Sequence, residues 1–197
     1  MNIYILFAHP SKASFCNSVL EAFTRGVEEA GHIYTIGNLY EMGFKTDMDA
    51  EQYEREVGAN PDAPVPDDVQ IEQGKINHAD ALAFIYPVWW SDCPAKLKGW
   101  FDRVLTHGYA YLNTEDDQRS TRIDIQKAIV ICPAGHTTAY LEKTGIAESM
   151  RKIMLHDRLL GVGVAHAYME ILGGMMPNDD SYREQNLKIA YDCGRNF

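Results

Sequence analysis

The sequence predicts an α/β protein in which a parallel sheet is covered by helices on both faces. Short, continuous apolar runs alternate along the chain with segments whose apolar residues recur at helical spacing. The runs at 3–7, 81–86 and 128–132 are almost purely apolar, which is typical of strands buried on both sides. Because no repeat or linker interrupts this alternation, we expect residues 1–197 to form a single domain.

Each helix is predicted from its own start and stop signals. After the first strand, Phe15, Val19 and Phe23 recur at helical spacing, with Ser14 as a candidate N-cap and Gly31 as the stop. The next helix is expected to be capped by Asp67 or Asp68 and to run to residue 76, and Pro94 opens a third over 94–104. The remaining predicted elements are strands over 32–36 and 166–172 and helices over 146–156 and 181–192.

Two stretches fall outside the regular pattern. Residues 43–66 combine several acidic residues with three prolines, which favours a solvated surface loop containing a short helix. Long loops often serve function, so covering a neighbouring chain or part of a cofactor is the alternative for this segment. The second stretch, 105–124, holds Tyr109, Tyr111 and a polar tract, and lining a substrate pocket is its functional interpretation.

Composition excludes several classes of protein. The net charge of −10 and the dispersed basic residues argue against nucleic-acid binding, which needs clustered Lys and Arg. The cysteines Cys16, Cys93, Cys132 and Cys193 lack the spacing of a zinc site or a disulfide framework, so no metal is expected. No apolar run approaches a membrane span, and the N-terminus enters a strand directly, which predicts a cytoplasmic protein.

The loop after the first strand is a candidate phosphate site. It lacks the glycines of a dinucleotide fingerprint and the ending of a Walker loop. Ser11, Ser14 and the backbone N–H groups of Phe15 and Cys16 are instead placed to bind a phosphate at a helix N-terminus, with His9 as a further donor. The structural alternative is a simple helix cap.

Two further loops follow strands at the same predicted edge. Trp89 and Trp90 follow the strand at 81–86 and offer a flat apolar wall, which suits a flat redox-active ring. In the loop at 133–140, Gly135 permits a close backbone approach, so its N–H and that of His136 are candidates to face the electron-rich edge of such a ring. The alternative for Gly135 is a tight turn that needs positive φ.

The sequence resembles the flavodoxin-like NAD(P)H:quinone oxidoreductases, the DT-diaphorase group and its bacterial relatives. Four segments carry the resemblance: Ala8-His9-Pro10 with Ser14-Phe15, residues 38–44, Pro87-Val88-Trp89-Trp90 with residues 94–104, and Tyr109-Ala110-Tyr111. The resemblance implies a five-stranded parallel sheet of order 2-1-3-4-5 with helices on both faces and a noncovalent flavin. It also implies a homodimer with active sites at the subunit interface.

Carried over by position, the resemblance assigns residues to a flavin. The phosphate falls to His9, Ser14, Phe15 and Cys16 in the loop after the first strand. The family's asparagine directly follows its Ser-Phe pair, whereas here Cys16 does and Asn17 is displaced by one position; Asn17 and Ser11 are the further candidates in this loop. The ring packs along Pro87, Val88, Trp89 and Trp90 and is closed at its pyrimidine side by Pro133, Ala134, Gly135 and His136.

The catalytic candidates are Tyr111, Tyr140 and His136. The resemblance makes Tyr111 a substrate-pocket residue that reaches across the dimer. Tyr140 lies one place from the family's active-site tyrosine and Ala147 stands where its companion histidine is expected, so His136 is the candidate to stabilise the reduced ring.

The resemblance implies an enzyme that transfers two electrons from NADPH or NADH to a quinone-like acceptor. The mechanism we expect is ping-pong hydride transfer through flavin N5, with the protein positioning the ring. FMN is favoured because it needs only the phosphate site, and FAD is the alternative. An electron-carrier flavodoxin and a regulatory subunit of an ion-transport system are the rival functions.

Overall fold

A computed structural model describes residues 1–60, 62–113, 119–176 and 179–197. Its centre is a five-stranded parallel sheet of order β2-β1-β3-β6-β7. The strands of this sheet are β1 (Asn2–Phe7), β2 (Ile33–Asn38), β3 (Ala81–Ile85), β6 (Ile125–Pro133) and β7 (Val164–Leu172), and a separate antiparallel pair is formed by β4 (Tyr111–Asn113) and β5 (Arg119–Thr121). The predicted α/β class and the core strand order 2-1-3-4-5 are confirmed.

Helices lie on both faces of the sheet. They are α1 (Phe15–Glu29), α2 (Ala50–Val57), α3 (Asp67–Asn77), α4 (Ala95–Val104), α5 (Thr138–Lys143), α6 (Ile146–Arg151) and α7 (Asp180–Arg195), with a π-helix at Lys152–Asp157 and a 3-10 turn at Leu160–Val162. Alternation along β1 divides the core, because successive strand residues point to opposite faces. Ile3 and Ile5 pack with α1 and α7, whereas Tyr4 and Leu6 pack with α3, α4 and α6.

The predicted caps are correct for α1 and wrong for α3. The Ser14 side chain accepts a hydrogen bond from the N–H of Asn17, and Gly31 adopts φ +76° just past the helix. The N-cap of α3 is Pro66 and makes no side-chain cap; Asp67 and Asp68 lie inside the first turn. The reason is that the Asp68 carboxylate binds Arg103, while carboxylates in a first turn are already favoured by the helix dipole.

The segment 43–66 contains the expected short helix but is more than a solvated loop. Helix α2 begins after the N-cap Asp49 and buries Gln52. The Gln52 amide donates to the backbone oxygen of Arg103 at 2.8 Å, and its oxygen accepts from Arg103 Nε at 3.0 Å. A two-way hydrogen bond between buried groups therefore fastens α2 to α4. Residue 61 lies outside the described residues.

Two other segments differ from their predictions. The stretch 105–124 forms the β4–β5 pair, and residues 114–118 of its polar tract lie outside the described residues. The helix expected over 146–156 is α-helical only to Arg151 and continues as the π-helix. Helix α5 begins after the N-cap Thr137. Its segment is too short to show a helical pattern, so the sequence does not predict this helix.

The described ranges contain no helix long and apolar enough to cross a membrane and no cluster of three metal-ligating side chains. The four cysteines are free thiols, of which Cys16, Cys93 and Cys132 are buried. Burial raises the pKa of the Cys16 and Cys93 thiols to about 12, so neither is an activated nucleophile.

Candidate functional site

Three loops leave the carboxyl edge of the sheet and contact one another. They follow β1, β3 and β6, which are neighbours in the sheet. The His9 ring meets the Trp89 ring edge-on with centroids 6.1 Å apart, and the Val88 N–H donates to the Pro133 oxygen at 2.8 Å. The structure thus brings together the candidate phosphate loop, the tryptophan pair and the Gly135 loop, in the crevice where open α/β sheets bind ligands.

The loop after β1 presents several hydrogen-bond donors. Ser14 caps α1, and, within the described chain, the N–H groups of Phe15 and Cys16 in the first turn meet no protein acceptor. Nδ1 of His9 lies 3.0 Å from the Ser11 nitrogen and 3.1 Å from the Ser11 oxygen, so the tautomer of the ring decides which of its two nitrogens donates. Burial lowers the pKa of His9, which favours a neutral ring. Together these donors suit an anion.

Two candidates in this loop, Cys16 and Asn17, do not offer their side chains to a phosphate. The Cys16 thiol is buried with Val19 and Phe23 under the sheet. The Asn17 amide donates along the helix to Glu21 at 2.8 Å, while its N–H is used by the Ser14 cap. The side chains of Cys16 and Asn17 are therefore engaged elsewhere, and the hydroxyls of Ser11 and Ser14 remain the polar groups of the loop.

The tryptophan pair lies on a tight two-residue turn. Trp89 and Asp92 exchange backbone hydrogen bonds of 3.0 and 3.2 Å, so Trp90 and Ser91 form the loop between them. Both loop residues have positive φ, 49° and 64°, as a type I′ turn requires. The Trp90 side chain is fully exposed at 101%, whereas Trp89 is 43% exposed. An indole wall therefore stands free in solvent beside the phosphate loop.

The loop after β6 is fixed by its own backbone and by the chain that follows β7. The Ala134 N–H donates to Leu172, and the oxygens of Ala134 and His136 accept from Met175 and Gly174. In the described residues, the N–H groups of Gly135 and His136 have no acceptor, so they are available to a ligand. Two such N–H groups from consecutive residues suit a developing negative charge.

The structure does not show the alternative for Gly135, a tight turn that needs positive φ. Gly135 lies outside the left-handed region, so positive φ does not explain it. Gly173 is the tighter position, because a Cβ there would meet the Thr138 nitrogen at 2.4 Å. The His136 and Tyr140 rings lie 4.5 Å apart at 32° and are both exposed, so the structure brings these two catalytic candidates together.

Tyr111 lies on β4, at a distance along the chain from the three loops. Its ring meets His107 edge-on at 5.7 Å and lines a cavity of about 300 Å³ together with Arg158 and Lys98. Arg158 in turn binds Asp92 of the tryptophan turn. The Tyr111 cavity is therefore joined to the tryptophan turn by one ion pair.

Sequence reasoning missed two arginines. Arg158 follows the π-helix, where the helical pattern fails, and nothing local marks its partner Asp92. Arg183 lies in the first two turns of α7 with its guanidinium 4.9 Å from the centre of the Phe15 ring, which brings a positive charge to the phosphate loop. The signal that could have found Arg183 is a basic residue at the start of the helix that follows the last strand.

The fold and the loop cluster define a flavodoxin-like protein, and comparison with known proteins agrees. A family model described as flavodoxin-like fold matches residues 1–191, so the chain belongs to that family. An NAD(P)H:quinone oxidoreductase from Methanothermobacter marburgensis is 62% identical, with a TM-score of 0.95 over 100% of this chain and 96% of that one. The resemblance to the NAD(P)H:quinone oxidoreductases is confirmed.

Two more distant relatives extend this comparison. An uncharacterised NAD(P)H oxidoreductase of Haemophilus influenzae is 29% identical over 191 residues, which is 96% of this chain and 92% of that protein. The structure of an FMN-dependent NADH-azoreductase from Bacillus anthracis, in complex with FMN, is 17% identical with a TM-score of 0.76 and covers 100% of this chain and 99% of that one. The latter shows the shared fold alone.

Proposed function

We propose that this protein is an NAD(P)H-dependent flavin oxidoreductase that reduces quinones or similar acceptors by two electrons. The observation that carries the proposal is the meeting, at one sheet edge, of a donor-rich helix N-terminus, an exposed indole wall and a loop with free N–H groups. The 62% identical NAD(P)H:quinone oxidoreductase supports it.

The first part of the fit concerns the phosphate. The N–H groups of Phe15 and Cys16 and the hydroxyls of Ser11 and Ser14 are suited to bind the phosphate oxygens, with the Nε2–H of His9 as a further donor. The guanidinium of Arg183 lies close enough to Phe15 to favour a dianion electrostatically. In the neutral tautomer whose Nδ1 accepts the Ser11 N–H, His9 donates one hydrogen bond through Nε2 without adding a charge to this end of the site.

The second part concerns the ring. Pro87, Val88, Trp89 and Trp90 supply an apolar wall, and Pro133 and Ala134 lie beside it through the Val88–Pro133 hydrogen bond. A bound flavin supplies hydride chemistry at its N5. The N–H groups of Gly135 and His136, with the adjacent His136 and Tyr140 rings, are suited to stabilise negative charge on a reduced ring.

FMN is the cofactor that we favour over FAD. The donors described above account for one terminal phosphate, and no second anion site is needed. The FMN complex of the azoreductase relative supports the same choice. NADPH or NADH is the reductant, and reductant and acceptor alternate at one open face. We further propose a homodimer in which Tyr111 of one subunit reaches the other subunit's site.

The test is reconstitution followed by turnover. Purified protein freed of ligand is titrated with FMN and separately with FAD, and the absorbance and fluorescence of the flavin give each dissociation constant. We expect FMN to bind at least tenfold more tightly, which corresponds to about 1.4 kcal/mol. NADH or NADPH is then expected to bleach the flavin, and 1,4-benzoquinone to restore its colour.

Three outcomes would contradict the proposal in different ways. A folded protein that binds neither flavin contradicts the flavin site itself. Binding of FMN with a stable one-electron reduced form, and no reaction with NADH or NADPH, assigns the protein to the electron carriers. Reduction by NADPH without transfer to any quinone removes the proposed acceptor class. Sedimentation at several protein concentrations tests the homodimer separately.

A further inference from the structure

The turn that carries Trp90 is strained in this chain. A type I′ turn places both central residues in the left-handed region, which normally selects Asn and Gly. Here the two positions are Trp90, with φ 49°, and Ser91, with φ 64°. Left-handed backbone costs roughly 1–2 kcal/mol for each ordinary residue. Such a conformation persists only where the surroundings hold it in place.

Arg158 binds the last residue of the turn. Its Nη1 and Nη2 atoms each lie 3.0 Å from a different oxygen of the Asp92 carboxylate, the two-pronged geometry that only arginine provides. The same carboxylate accepts the N–H of Cys93 at 2.7 Å, directly after the turn. The Arg158 side chain is 10% exposed and that of Asp92 41%, so water competes weakly at the arginine end.

The electrostatics agree with this geometry. Burial of Asp92 acts to raise the pKa of its carboxyl, but the hydrogen bonds from Arg158 and the Cys93 N–H outweigh it, and the pKa falls below its ordinary value. The ion pair therefore remains formed throughout the neutral range. It is a contact between groups 66 residues apart in the chain, and it joins the turn to the residue that follows the π-helix.

The π-helix sets the position of Arg158. The Arg158 N–H donates at 3.1 Å to the oxygen of Ile153, five residues earlier, which is the π-helical pattern. One residue more per turn rotates the following side chain relative to a regular α-helix. The guanidinium also lies 5.3 Å from the centre of the buried Phe101 ring, a cation–π contact. The Ile153 hydrogen bond and the Phe101 contact thus help to hold Arg158 where it binds Asp92.

We propose that Arg158 is a positioning residue: its ion pair with Asp92 holds the turn of residues 89–92 in its strained form and so sets the backbone from which the exposed Trp90 indole projects at the flavin site. The consequence for the flavin rests on the proposed function above. The consequence for the turn does not, because the ion pair and the turn are both present in the protein without flavin. Arg158 also lines the Tyr111 cavity, so one guanidinium links that cavity to the indole wall.

The experiment compares Arg158→Lys and Asp92→Asn with the wild-type protein. Lysine keeps the charge and loses the two-pronged contact, and asparagine keeps an acceptor for the Cys93 N–H. The first readout is the set of indole N–H signals in a ¹H–¹⁵N spectrum of flavin-free protein, with Trp90 assigned by Trp90→Phe. The second readout is the dissociation constant of FMN.

We expect each substitution to shift or broaden the Trp90 signal and to weaken FMN binding about tenfold. The double variant should bind FMN no more weakly than the weaker-binding single variant, because both changes remove the same interaction. Arg25→Lys is the matched control: Arg25 stacks on Tyr191 on the opposite face of the sheet, and its replacement should change neither readout.

An unchanged Trp90 signal in both variants overturns the proposal. An altered Trp90 signal together with unchanged FMN affinity, in a wild-type protein that binds FMN, overturns the positioning role. If wild-type protein binds no flavin while the Trp90 signal still moves, the ion pair holds the turn as proposed and the proposed function fails alone. The control separates general destabilisation from positioning. Arg25→Lys can lower the melting temperature, but it should not shift the Trp90 signal.

Discussion

Arg103 on α4 and Asp68 on α3 form a two-pronged ion pair, with Nη1–Oδ2 at 2.5 Å and Nη2–Oδ1 at 2.8 Å. The arginine side chain is 1% exposed and the aspartate side chain 36%. Arg103 also donates to the Lys45 oxygen and to Gln52, and lies over the Phe44 ring. One buried guanidinium therefore joins α2, α3 and α4 with the chain that follows β2.

Asp68→Asn should destabilise the protein, because it leaves a buried guanidinium without its counter-charge. Complete burial of such a pair would make the loss about 3–5 kcal/mol, and the hydration of Asp68 and the remaining acceptors reduce it to about 2 kcal/mol. Urea unfolding measures the change. Asp67→Asn is the control, since Asp67 is the exposed neighbour in the same helical turn and should change stability by less than about 0.5 kcal/mol.

The same pair predicts a dependence on pH. The hydrogen bond from Arg103 lowers the pKa of the Asp68 carboxyl below its ordinary value of 3.8. A carboxyl with a lowered pKa in the folded state contributes stability above the unfolded pKa and loses it as the pH falls through the folded pKa. The difference between wild type and Asp68→Asn should therefore be constant near pH 7 and shrink below about pH 4. A difference that grows on acidification would contradict this assignment.

The sheet and the location of the site could be predicted from the sequence because both follow from local signals. A doubly buried strand such as β3 is apolar at every position, and the Ser14 cap acts within three residues. The meeting of the three loops then follows from the parallel order of their strands, since the carboxyl ends of such strands share one edge.

The long-range polar contacts of the fold and of the site could not be predicted in this way. Gln52 and Arg103 are 51 residues apart, and Asp92 and Arg158 are 66 apart, so neither pair leaves a periodic signal. The Trp90–Ser91 turn contradicts the local preference for glycine and asparagine, and such conflicts are expected at functional sites. Predicting them requires the partners as well as the turn.

Ser14→Ala should reduce both stability and flavin binding. It removes the acceptor of the Asn17 N–H and one candidate phosphate donor, so we expect a loss of about 1 kcal/mol in unfolding free energy and a tenfold weaker FMN complex. Asp49→Ala removes the N-cap of α2, which accepts from Gln52 at 2.9 Å, and should lose similar stability with no change in FMN binding. Equal effects on FMN would exclude a phosphate role for Ser14.

Ser91→Gly should stabilise the protein, unlike most serine to glycine changes. Glycine accepts φ 64° without the steric cost that serine bears, and that gain exceeds the added freedom of the unfolded chain. We expect a rise in melting temperature of about 1–3 °C. Ser149→Gly is the matched control: Ser149 is exposed within α6, where glycine costs about 0.5–1 kcal/mol, so its melting temperature should fall. A fall in both variants would contradict backbone strain at Ser91.

Glu170→Gln should raise stability at neutral pH and leave it unchanged in acid. Burial on β7 raises the pKa of the Glu170 carboxyl above its ordinary value of 4.5, so the folded state holds the proton more tightly than the unfolded state. Stability from such a group is complete below pH 4.5 and is lost as the pH rises through the folded pKa.

A neutral glutamine removes the cost of ionising this half-buried position, so the melting temperature at pH 7 should rise by about 1–3 °C and the gain should vanish below about pH 4. Glu142→Gln is the control, because the exposed Glu142 binds Arg151 at 2.7 Å and that hydrogen bond lowers its pKa. Its replacement should bring no gain at pH 7. If Glu170→Gln lowers the melting temperature at pH 7, the ionised carboxylate has a stabilising partner, and burial does not govern its titration.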